Sequence, residues 1–149
     1  MSAPADARVR TFHALHQTGC FVMPTPWDPG SARLLAARGF PALATTSAGM
    51  AWALGHRDND VSRDEVLAHL TAMAAAVDVP VNADFEGGFA VEPEGVAANV
   101  ALAVTTGIAG LSIEDSTGEA AAPLHPRALA IDRIRAARRA IDALSLIHI

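Results

Sequence analysis

Lysine is absent from the 149 residues, and all eleven basic side chains are arginine. A covalent Schiff base through a lysine amine, one route to carbon–carbon bond cleavage, is therefore closed to this chain. So is the phosphate loop of spacing Gly-x-x-x-x-Gly-Lys. The single cysteine, Cys20, excludes an internal disulfide and fits a reducing compartment. With no base near it in sequence, Cys20 reads as a side chain packed at a strand start. No apolar run is long enough to span a bilayer. The first ten residues hold acid and arginine but no apolar core of a secretory signal. A formal net charge of −5 without a basic cluster excludes the concentrated cations that a nucleic-acid backbone requires. The expectation is a soluble cytoplasmic protein with neither nucleic acid nor membrane as partner.

What is present is apolar and periodic. Hydrophobic residues make up 51 % and the mean hydropathy is +0.26, too apolar for a disordered chain. The length suits one domain but is short for a closed parallel barrel. Residues 6–18 carry Val9, Phe12 and Leu15 at helical spacing with Gly19 as a stop. Of His13 and His16 in this helix, one is expected on the packing face and one in water. Residues 20–23 read as a first strand. Asp28 before Pro29 reads as the cap of a helix over 31–38, and Trp27 stands at the strand exit. Residues 42–46 read as a second strand that dissolves into Ser47-Ala-Gly-Met. Its hydroxyls at Thr46 and Ser47, with amides around Ala48 and Gly49, suit a carboxylate or phosphonate oxyanion.

Residues 54–60 form a charged loop in which Asp58 is a candidate to reach back over the strand ends. Ser62 and Glu65 make a capping box for a helix running to about residue 77, on which His69 reads as a surface partner of Glu65. Residues 80–85 and 111–114 read as the third and fourth strands. The helix over 93–106 buries Val96, Val100 and Val104. That over 127–144 is apolar at Leu129, Ile131, Ile134 and Ile141 and bears arginines on its other side. Strand starts near residues 20, 42, 80 and 110, each followed by a helix, predict a parallel α/β sheet with its polar residues at the C-terminal strand ends. That end is the catalytic face of a barrel and the ligand crevice of an open sheet.

The informative stretch is Pro80-Val-Asn-Ala-Asp-Phe-Glu-Gly-Gly-Phe89 with Gly110-Leu-Ser-Ile-Glu-Asp115 one βα unit later. Alternation sends Asn82, Asp84, Glu86 and Glu114 to one mouth. Ionised carboxylates gathered there must raise their pKa values or share a cation. Oxygen ligands, an amide and spare waters suit Mg²⁺. The plainer alternative, that these acids cap the turns after the strands, applies most to Glu86 and Asp115.

Together with Pro-Trp-Asp-Pro-Gly-Ser-Ala-Arg-Leu, Gly-Phe-Pro-Ala-Leu-Ala-Thr-Thr-Ser-Ala-Gly and Leu-Gly-His-Arg-Asp, these motifs resemble the isocitrate lyase/phosphoenolpyruvate mutase superfamily. The likeness is strongest to its short 2-methylisocitrate-lyase-like and carboxyvinyl-carboxyphosphonate-phosphorylmutase-like members. It covers nearly all of the chain to about residue 143. It implies the N-terminal half of a (β/α)₈ TIM barrel, about four parallel strands, in a single domain over residues 1–149. It also implies Mg²⁺ or Mn²⁺ dependence and lyase or mutase chemistry on a 2-oxo or 2-hydroxy acid through an enolate-type oxyanion. Dimers or tetramers exchanging a C-terminal helix belong to the same expectation. By position, Thr46 with the Ser47 and Ala48 amides, and Gly49 beside them, would bind the substrate carboxylate. Asp58, Asp84 and Glu114 would surround the metal, some through water, with Asp58 and Thr46 as catalytic candidates and Asn82 and Glu86 completing the metal side. Two departures stand out. Asn82 replaces the first acid of the family's Asp-x-Asp, and residues 116–126 lack the Lys-x-Cys-Gly of the true lyases. Residues 144–149 read either as the start of a fifth strand or as a tail outside the natural frame. The competing readings are a small open-sheet phosphoryl-accepting or ligand-binding module, and an inactive truncated half barrel.

Overall fold

Alternation along residues 81–86 decides which way the sheet faces. In the computed structural model, which describes residues 3–144, Val81 and Ala83 are buried while Asn82 and Asp84 are half-buried on the opposite face. Three strands, β1 (Leu43–Ala44), β2 (Val81–Asp84) and β3 (Gly110–Ser112), pair in parallel in the order β1-β2-β3. Ala44 stands opposite Asn82, Asn82 opposite Gly110, and Asp84 opposite Ser112. Each crossover between strands contains at least one helix, as parallel pairing requires. The ladder continues beyond the named strands through Glu114 N–H to Glu86 O at 2.8 Å.

Six helices accompany the sheet among the described residues: α1 (Ala3–Leu15), α2 (Pro29–Ala37), α3 (Ser47–Ala53), α4 (Arg63–Ala76), α5 (Pro93–Val104) and α6 (Arg127–Ala143). Local chemistry starts three of them. Asp28 accepts from Ser31 N–H at 2.9 Å to cap α2, with proline in the first turn. Ser62 and Glu65 form the reciprocal capping box of α4. Thr46 Oγ1 accepts from Gly49 N–H at 3.3 Å to cap α3. The apolar faces then meet. Ala83, Phe85 and Leu111 of the sheet pack with Leu70 of α4, Val96 and Val100 of α5, and Ala137 and Ile141 of α6. Phe85 is fully buried, a contribution of about 1.5–3 kcal/mol. None of the helices among the described residues is long and apolar enough to cross a membrane.

Several sequence expectations change here. Residues 20–23 form no strand; their neighbour Pro24 only accepts a hydrogen bond from Ala44 N–H at 3.0 Å, and Cys20 is exposed instead of packed. Among the described residues the sheet accordingly has three strands where about four were expected. Residues 47–53, where the second strand was expected to dissolve into Ser47-Ala-Gly-Met, are helical, with Thr46 as the cap and Ser47 tied to Asp84. His13 and His16 are both exposed, and His16 Nδ1 lies 2.7 Å from Phe12 O with its ring edge-on to Phe12 and Phe21. His69 is half-buried near Asp28 and does not pair with Glu65, whose carboxylate turns back to Ser62. On α6 the expected faces are displaced: Ile131 and Ile134 are exposed, whereas Arg133, Ala136, Ala137 and Ile141 are buried. Burial desolvates the Arg133 guanidinium and lowers its pKa. The expectation for residues 145–149 lies outside the described residues.

Gly110 is where α1 meets the sheet. A Cβ there would stand 2.6 Å from Phe12 Cε1 and 2.9 Å from Asn82 Oδ1. Gly110→Ala is expected to destabilise the chain by about 1–3 kcal/mol through overpacking. Equilibrium denaturation would show this, and an unchanged midpoint would mean that α1 yields freely.

Candidate active site

Asp84, at the end of β2, is fixed by donors from two directions. Its Oδ2 accepts from Ser47 N–H and Ser47 Oγ–H, both at 2.8 Å, and its Oδ1 accepts from Glu86 N–H at 3.3 Å. Its own N–H donates to Thr45 Oγ1 at 2.9 Å. The carboxylate thus latches α3 to the sheet. Of its roughly four acceptor positions, three are used and one on Oδ1 stays open.

Glu86 follows in a left-handed backbone conformation, φ 46°. Its residue is only 8 % exposed, and its Oε1 is buried without a hydrogen-bond partner. Desolvation, reinforced by the negative charges of Asp84, Asp58 and Glu114, raises its pKa to about 7. Glu114 is exposed at the rim, yet its pKa is also raised, first by desolvation and then by Asp84, Asp58 and Asp115. Five carboxylates from three stretches of chain therefore share one field. A cavity of about 670 Å³ opens beside them, lined by Glu86, Glu114, Asn59, Ser116, His125 and Arg133. Residues 116–126 fold over it as a small closed loop in which Ser116 and Leu124 bridge and His125 N–H donates to Asp115 O at 2.9 Å.

The remaining sequence candidates lie at different depths around Asp84 and Glu86. Asn82 lies on the same face as Asp84 but one strand repeat deeper, about 6–7 Å, with Oδ1 close to Gly110. Asp58 sits in an exposed turn and enters through its charge. Ser47 spends both donors on Asp84, and the Gly49 amide returns to Thr46. Trp27 lies against Gly49 and makes an edge contact with Trp52 at 5.7 Å between centroids. Among the described residues no three His, Cys, Asp or Glu side chains form a ready metal chelate. The open lone pair of Asp84 and the orphaned oxygen of Glu86 nonetheless suit a hard cation that keeps several of its own waters. Three residues escaped sequence reasoning: Thr45, Asn99 and Arg133, whose roles lie chiefly in hydrogen bonds to backbone of other elements.

Residues 12–148 match the family described as phosphoenolpyruvate phosphomutase. The chain belongs to that family. A lyase/mutase of Burkholderia cenocepacia J2315, provisionally so assigned, superposes with a TM-score of 0.93 at 46 % identity, over 95 % of this chain and 52 % of its own. The 2,3-dimethylmalate lyase of the PEP mutase/isocitrate lyase superfamily superposes at 0.82 with 27 % identity, over 98 % of this chain and 51 % of its own. An uncharacterized protein of Mycobacterium tuberculosis H37Rv, Rv1998c, is 39 % identical over 110 residues, 73 % of this chain and 42 % of the relative. The chain thus spans about half the length of the relatives it matches. This phosphoenolpyruvate phosphomutase family member is an α/β protein whose parallel βα units correspond to part of these lyase and mutase folds.

Proposed function

We propose that this chain carries the metal-side half of an active site for small 2-oxo or 2-hydroxy carboxylic acids, cleaving a carbon–carbon or phosphorus–carbon bond through an enolate-type oxyanion. The observation that carries the reading is Glu86, a buried carboxyl with an unpartnered oxygen, set among Asp84, Asp58 and Glu114. Asp84, Glu86 and Glu114 would hold Mg²⁺ or Mn²⁺, partly through water, with Asn82 below them. When bound, the cation supplies Lewis-acid stabilisation of negative charge on the substrate oxygen. The chain's own residues do the rest. Asp84, immobilised by Ser47, keeps one acceptor direction constant. Thr46 and the amide of Ala48 remain to orient a substrate carboxylate, and Asp58 supplies a further charge at the rim. The 2,3-dimethylmalate lyase likeness supports a substrate of this chemical class. A closed eight-unit barrel and homo-oligomers belong to the same proposal.

Trp27 provides the test, since its ring rests on the helix that Asp84 anchors. Addition of Mg²⁺ should give a saturable change in tryptophan emission. With Mg²⁺ present, 2-oxo acid should then form from a panel of branched 2-hydroxy dicarboxylates. A flat titration would remove the cation from this reading, and a response without turnover on any such acid would remove the lyase chemistry.

A further inference from the structure

The turn that presents Glu86 is held by two buried side chains that nothing in its own segment would suggest. Its left-handed residues Glu86, Gly88 and Phe89, with φ of 46°, 73° and 56°, crowd into four positions. Two of them are not glycine, and such conformations persist only where the surroundings over-determine them. The surroundings here are hydrogen bonds to five successive carbonyls. Asn99 of α5 donates from Nδ2 to Gly88 O at 2.9 Å and Phe89 O at 3.2 Å. Arg133 of α6 donates from Nη1 to Ala90 O and to Val91 O, the latter at 2.8 Å, and from Nη2 to Gly87 O. Asn99 is 7 % exposed and Arg133 1 %. Asn99 is itself oriented, because its Oδ1 accepts from Arg63 Nη1 at 3.0 Å at the start of α4.

A guanidinium buried without a carboxylate is an expensive way to pack a helix, and an apolar side chain of similar volume would serve packing as well or better. Its donors do match what this turn leaves unsatisfied, because buried carbonyls must find partners. We propose that Arg133 and Asn99 are positioning residues that lock the 86–91 turn, so that the cation affinity of the site is set from α5 and α6 through Glu86. This inference rests on the cation reading above.

The test compares Arg133→Met in two backgrounds, the natural chain and Glu86→Gln, with Mn²⁺ binding followed by the electron-spin signal of the free ion. Amide hydrogen exchange of residues 86–91 is read alongside. Arg133→Met should speed exchange in the turn while β1 to β3 stay protected, and should weaken Mn²⁺ binding about 10- to 100-fold, as loss of groups that orient metal ligands does. In the Glu86→Gln background the same substitution should change affinity less than about twofold, because coupled residues are not additive. An equal fall in both backgrounds, or no fall despite faster exchange, would make the clamp merely structural and overturn the inference. Should Arg133→Met fail to fold, Asn99→Ala carries the same comparison. Absence of Mn²⁺ binding by the natural chain would instead defeat the cation reading itself, and this inference with it.

Discussion

Asp84→Ala is expected to lower Mn²⁺ affinity by at least about 100-fold and to cost about 1–3 kcal/mol of stability, two effects with separable causes. The stability loss arises because Ser47 N–H and Oγ–H lose their acceptor and α3 its tie to β2. The affinity loss arises because a carboxylate held at the strand end by three donors disappears. Ser47→Ala separates them. It removes one hydrogen bond but leaves the carboxylate, so it should cost about 1 kcal/mol and leave Mn²⁺ binding within a few-fold. Calorimetric titration and denaturant unfolding of both variants decide the matter. If Asp84→Ala binds Mn²⁺ like the natural chain, Asp84 is a structural latch alone.

The second large effect concerns pH. Glu86 has an ordinary value near 4.5 that the fold raises to about 7. A carboxyl shifted upward favours the folded state while it is protonated. Its contribution is complete below about 4.5 and is lost as the pH rises through about 7. In the cation-free chain this amounts to about 3 kcal/mol between those limits. Other carboxylates move oppositely: Asp28, Glu65 and Asp142 have pKa values lowered by hydrogen bonds from Ser31, Ser62 and Arg138 respectively. The informative quantity is therefore the difference between the natural chain and Glu86→Gln, followed by unfolding from pH 4.5 to 8. The natural chain should lose stability relative to the variant as pH rises, and Mg²⁺ should cancel much of that loss at the upper end by favouring the ionised carboxylate. Parallel curves for the two proteins would show that Glu86 is hydrated.

These residues also show where sequence is a sufficient guide and where it is not. The alternation that placed Asn82 and Asp84 on one face needs only the two-residue period of a strand, and the Ser62 and Asp28 caps need only their next three residues. Such features depend on neighbours and can be read locally. The failures depend on partners far along the chain. Thr46-Ser-Ala-Gly looks like a turn until Asp84, 37 residues after Ser47, captures both Ser47 donors. Arg133 looks like one of the arginines on a wet face until a turn more than forty residues earlier offers it three carbonyls. Residues 20–23 have the composition of a strand, yet pairing must come from a neighbour, and only one backbone contact to Ala44 does.

The placement of α1 bears on traffic through the molecule. Val9 and Phe12 close the end of the sheet opposite the carboxylates, packed on Ala42 and Ala109, and Arg8 fastens the helix by donating to Ala74 O at 2.6 Å and Val77 O at 3.2 Å. That end of the sheet is therefore covered by α1, and Asp58, Glu86 and Glu114 lie around Asp84 at the other end. Under the cation reading proposed above, an anion meeting this acidic rim alone would be repelled by it, and a cation bound first would offset that repulsion.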